Sequence, residues 1–160
     1  MIQVLSSDKR EALLERSIEQ AYRNSHSLIF ASAWLQAMHP CFESAGFSLM
    51  QYSTMLLPTL LEWVQALHED VQKRSLNVLY TYLRVFWPRN HAHAHSLWEI
   101  LQEVYKSASP EISAKVSQVA EIIWVTSGQK FRFDTRSNHD GMDELTLTIM
   151  KKLDPQEFGT

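Results

Sequence analysis

The chain has 160 residues, 45% hydrophobic and 11% aromatic, enough apolar material for one domain or a short repeat array. Only 4 glycines and 5 prolines argue against a many-stranded sandwich or barrel, and the one cysteine, Cys41, permits no internal disulfide and suits a reducing compartment. A formal charge of −3 with a pI near 6.1 gives no electrostatic footprint for nucleic acid, and no apolar run approaches the ~18 residues of a membrane span.

The start, MIQVLSSDKR, has too short an apolar run for a signal peptide, so a cytoplasmic or nuclear location is expected. Ser6 or Ser7 can cap a first helix over DKREALLERSIEQAYRN, with Leu14, Ile18 and Tyr22 on one face. Leu28, Ala31, Leu35 and Met38 mark a second helix that should end at His39-Pro40. Gly46 is the next break. A third helix is expected from about Ser48 to Leu67, striped by Leu56, Leu57, Leu60, Leu61 and Val64. Pro58 inside it should kink the backbone near Thr54.

A fourth helix begins at Asp70, which serves as its N-cap, and Pro88 stops it. Its stripe is Val71, Ser75, Val78, Leu79, Tyr82, Leu83 and Phe86. A fifth carries Leu97, Leu101, Val104 and Tyr105. Ser109-Pro110 opens a sixth, striped by Ile112, Val116, Val119, Ala120 and Ile123 and ended by Gly128. The polar stretch 128–141 is expected to be a mobile loop, residues 142–153 a short helix and 154–160 a tail.

Shifting the chain by 41 residues superimposes apolar positions: Leu57 on Trp98, Leu60 on Leu101, Val64 on Tyr105, Val71 on Ile112, Val78 on Val119 and Tyr82 on Ile123. Arg74 falls on Lys115. A looser copy precedes these, pairing the Leu14 and Leu28 helices at a slightly longer offset. Two-helix units recurring at about 40–47 residues are the range of HEAT and armadillo-type repeats. Leu56-Leu57-Pro58, Leu60-Leu61, Asp70-Val71 and Arg74 resemble a HEAT repeat, with Glu111-Ile112 and Lys115 as a second copy lacking the helix proline. The resemblance implies an all-α, HEAT-like stack of antiparallel helix hairpins, an α-solenoid fragment, over residues 1–127. A helical bundle without repeats would show the same 3.6-residue periodicity. Residues 47–127, with FWPRNHAHAHSLWEIL at their centre, resemble the Tti-type subunits of the Triple T complex, a cochaperone of the phosphatidylinositol-3-kinase-related kinases. Members of that family are several hundred residues long, so the likeness implies a carboxy-terminal piece or short isoform. It also implies helical-repeat proteins as partners.

Three histidines alternate at His91, His93 and His95, and three imidazoles can hold a catalytic zinc. Alternation aligns all three only on a strand, and on a helix only His91 and His95 share a face. No His-Glu-x-x-His or Cys-x-x-Cys accompanies them. The small metal-dependent enzyme they suggest is therefore the rival to a scaffold without metal, cofactor or catalytic residues. Cys41 is expected in a turn, buried or half-buried. Trp34, Trp63, Trp98 and Trp124 are expected in the core. The remaining feature is a ridge about 200° from the Val71 stripe, Lys73, Asn77, Tyr80 and Arg84, continued on the sixth helix by Gln118 and Glu121. Tyr and Arg are common anchors at protein interfaces, so these six residues are the candidate partner-binding surface. Protein subunits are the expected partners, with neither nucleic acid nor membrane.

Overall fold

The computed structural model describes residues 7–137 and 144–153. Among them every regular element is a helix: α1 (Ser7–Arg23), α2 (Leu28–Ala45), α3 (Ser53–Val64), α4 (Glu69–Val85), α5 (Ala94–Lys106), α6 (Pro110–Thr126), α7 (Gln129–Ser137) and α8 (Glu144–Leu153). Two 3-10 segments, Gly46–Tyr52 and Trp87–Ala92, precede α3 and α5.

The starts of α2, α4 and α6 have a common local cause. Ser27, His68 and Ser109 occupy the N-cap positions, 41 residues apart, and each side chain accepts the backbone N–H three residues on. The distances are 3.3 Å to Phe30, 3.3 Å to Val71 and 3.4 Å to Ile112. Each cap satisfies one of the donors a helix start leaves open. Asp70 is thus the second residue of α4 and not its cap. α3 and α5 start at Ser53 and Ala94, also 41 apart.

Packing follows the chain in two rows. α2 packs on α4, α4 on α6 and α6 on α8, while α1 packs on α3 and α3 touches α5. Between the rows α3 packs on α4 and α5 on α6. The seam holds the core, including Leu56, Leu60, Trp63, Val64, Val71, Leu79, Leu101, Val116 and Ile123, all fully buried. Burying each such aliphatic side chain is worth about 1.5–3 kcal/mol. All four core tryptophans are buried as expected. Trp63 donates its indole N–H to the Ser25 carbonyl at 2.8 Å, and Trp34 donates to the Ser17 hydroxyl at 2.9 Å, so their polar edges are satisfied inside the core.

Four local expectations need correction. Pro40 does not end the second helix, which continues to Ala45 and is closed by Gly46 at φ 56°. Pro40 lies on the exposed side, while Phe42 beyond it is fully buried against Trp34, their ring centroids 5.6 Å apart. Tertiary packing thus holds the extra turn. The third helix is divided: a 3-10 segment gives way to α-helix at Tyr52 and Ser53, and α3 ends at Val64 rather than Leu67. Tyr22 is exposed and Ala21 takes its expected place in the core.

The largest correction is at 128–141, where a loop was expected and Gln129–Ser137 is helix. Gly128 turns the chain at φ 88°, a conformation that costs glycine little. Phe131 is then buried against Trp98 and Trp124, at centroid distances of 5.4 and 6.0 Å. Among the described side chains of this helix Phe131 is the buried aromatic anchor, and Arg132 adds a hydrogen bond to the Trp124 carbonyl at 3.2 Å. Residues 138–143 and the tail 154–160 lie outside the described residues.

Candidate protein-interaction surface

The ridge is built on the α2–α4–α6–α8 row, and its residues divide by what they touch. Lys73 pairs with Glu111 of α6 at 2.5 Å, and Asn77 accepts a hydrogen bond from Lys115 of α6 at 2.8 Å. Glu121 pairs with Lys152 of α8. These three therefore link consecutive helices of the row. Helical geometry places them away from the Val71 stripe, yet a helix flanked on both sides has a polar seam that a helical wheel cannot distinguish from solvent. Tyr80 is half-buried, Arg84 is exposed, and the Arg84 guanidinium lies 5.6 Å from the Tyr80 ring centre, within cation–π range. Gln118 is exposed. Among the described residues no hydrogen bond or ion pair ties Tyr80, Arg84 or Gln118 to a neighbouring helix, while the paired Lys73 side chain is itself 42% exposed.

The seam has its own regularity. Ser32 on α2 donates to Asp70 on α4 at 2.7 Å, and a shift of 41 residues carries this pair onto Lys73 and Glu111. Asp70 also receives Arg74 Nε at 3.0 Å. The Ser32 hydrogen bond, with that of Arg74, holds the Asp70 carboxyl below its ordinary pKa. The hydrogen bond and charge of Lys73 lower the Glu111 pKa, and the same contact raises that of Lys73.

Between α1 and α2 lies an open groove of about 590 Å³, lined in part by Leu13, Leu14, Met38, Ala45 and Cys41. Cys41 is exposed on the helix, not buried in a turn. Leu13 is 54% exposed on the groove wall. Sequence reasoning missed this feature because Leu13 falls beside the Leu14–Ile18 stripe and carries no periodic signal of its own.

The histidine run is not on a strand. His91 belongs to the 3-10 segment, and its side chain is outside the described ones. His93 is the exposed residue between that segment and α5. His95 is on α5, its ring 5.1 Å from that of Phe131 and its Nε2 3.8 Å from Asp134. Among the described residues no three His, Cys, Asp or Glu side chains group as metal ligands. His68, Glu69 and Asp70 have separate roles: His68 caps α4, Glu69 accepts from Ser109 at 2.9 Å, and Asp70 takes Ser32 and Arg74. No described helix is long and apolar enough to cross a membrane.

Compared with known proteins, the chain matches no family model, no curated protein and no solved structure.

Proposed function

We propose that the chain is a HEAT-type stack of helix hairpins acting as a non-enzymatic scaffold that binds other proteins. The observation that carries this reading is the common 41-residue register of three caps and two inter-helix contacts: Ser27, His68 and Ser109, then Ser32–Asp70 and Lys73–Glu111. A bundle has no reason to repeat its polar contacts at a fixed offset. Stacked hairpins do, because each meets the next through the same faces. Such an array offers an extended surface, and Tyr80 with Arg84 supplies an amphipathic anchor on it.

The likeness of residues 47–127 to Tti-type subunits supports a narrower proposal. The partners are the other Triple T subunits, in the cytoplasm or nucleus, and the process is maturation of phosphatidylinositol-3-kinase-related kinases. The test is calorimetry of the full chain against each purified Triple T subunit, with the double variant Tyr80→Ala/Arg84→Glu alongside. Binding that the double variant weakens by about thirtyfold or more, with circular dichroism unchanged, is the expected result. Unchanged affinity would remove the ridge from the interface, and absence of binding to every subunit would remove the Triple T reading.

A further inference from the structure

The charge changes sign at one end of the helix array. Residues 83–98 close α4, form the second 3-10 segment and open α5; they contain Arg84 and Arg89 and no acidic residue. Residues 122–133, from the end of α6 into α7, contain Lys130 and Arg132 and again no acid. The two stretches meet in space. Asn90, the buried residue of the 3-10 segment, donates to Thr126 Oγ1 at 3.0 Å, and the Trp98 ring lies 5.5 Å from that of Trp124. Removing these four cations from the 15 basic residues leaves 11 against 18 acidic ones, so the rest of the chain carries −7.

Glu99, Glu121 and Asp134 bound these stretches along the chain; Glu121 pairs with Lys152 of α8, and Asp134 faces His95. None of the ion pairs among the described residues engages Arg84, Arg89 or Lys130. Arg89, His93 and Lys130 are exposed. Two large apolar side chains are exposed at the same end: Trp87 at 57%, three residues before Asn90, and Val125 at 61%, beside Thr126. The other four tryptophans are buried, so Trp87 is the one tryptophan that the fold leaves exposed. An open tryptophan at the end that carries the exposed Arg89 and Lys130 has the composition of an interface anchor.

We propose that this end binds an acidic protein segment with an apolar anchor: its carboxylates meet Arg89 and Lys130, and its aromatic or aliphatic side chain packs on Trp87 and Val125. This rests on the scaffold reading above and gives the partner its chemistry. Nucleic acid suits the site less well. A phosphate backbone longer than the patch runs on to a surface carrying −7, and one exposed tryptophan offers a single stacking platform where strand binders use several. A short acidic segment meets only the local charge, since screening confines its interactions to roughly 8 Å at physiological salt.

The test is fluorescence anisotropy of the full chain with a fluorescein-labelled peptide in which glutamates flank a central Leu-Phe pair. Saturable binding that weakens as salt rises is expected, as is its loss when glutamines replace the glutamates. Arg89→Glu/Lys130→Glu and Trp87→Ala should each weaken it at least about tenfold, with circular dichroism unchanged because all three side chains are exposed. No binding at millimolar peptide, equal binding of the glutamine peptide, or equal affinity of both variants would overturn the proposal. So would an oligo-deoxythymidine that binds more tightly than the peptide. The scaffold reading is measured on Tyr80 and Arg84 with whole subunits, so failure here with subunit binding retained overturns this proposal alone.

Discussion

Asp70 receives donors from two helices, Ser32 from α2 and Arg74 from its own α4, and so ties one hairpin to the next through a half-exposed carboxylate. The sign of its pH dependence follows from the direction of its shift. With the folded pKa held below the unfolded one, the contribution to stability is complete above about pH 4 and disappears as pH falls through the folded value. Ser32→Ala removes the larger cause and should raise the Asp70 pKa toward the ordinary aspartate range, as read by carboxyl carbon chemical shifts in an NMR titration. An unmoved titration would mean that Ser32 does not make the bond in solution. The sequence displayed Asp70-Val71 and Arg74 clearly, but a cap and a cross-helix acceptor draw on the same residue type. His68 accepts the N–H of Val71 instead, which frees the Asp70 carboxylate for α2.

Helices with a sustained stripe were legible from sequence because burial and periodicity have the same cause. Every residue read as the stripe of α4 or α6 is buried. Elements held by one long-range contact were not. α7 carries a mean charge and polarity that suit a loop, and its helix depends on Phe131 reaching Trp98 and Trp124, whose positions only the folded chain brings together. The polar contacts of the ridge were not legible for a related reason, since Lys73, Asn77 and Glu121 find their partners on α6 and α8 rather than along their own helices. Phe131→Ala tests the anchor. It should cost about 3–5 kcal/mol, or less if α7 detaches locally before the rest of the fold responds. Hydrogen exchange separates the cases: amides of α7 should lose protection while those of α4 keep it. Unchanged protection in α7 would show that it is held by something other than Phe131.

At the scale of the molecule the two ends of the row differ from its middle. α4 is covered by α2, α3 and α6, whereas the first hairpin meets the fold on one side and leaves a groove of about 590 Å³ between its helices. At the other end α8 packs on α5 and α6 with Leu145, Ile149 and Met150 buried and Lys151 and Lys152 exposed. If the chain is the stack proposed above, its stability is set by each unit and its neighbours, so native-state exchange should be slowest in α4 and fastest in α1 among the longer helices. Two substitutions sharpen the expectation. Leu60→Ala, at a fully buried position of α3, should cost about 2–5 kcal/mol and accelerate exchange in α3, α4 and the helices packed on them. Leu14→Ala, at a half-buried position of α1 beside the groove, should accelerate exchange in the first hairpin and leave α6 unchanged. If either substitution speeds every helix equally, the chain unfolds as one cooperative bundle, and the reading as a stack of nearest-neighbour units fails with it.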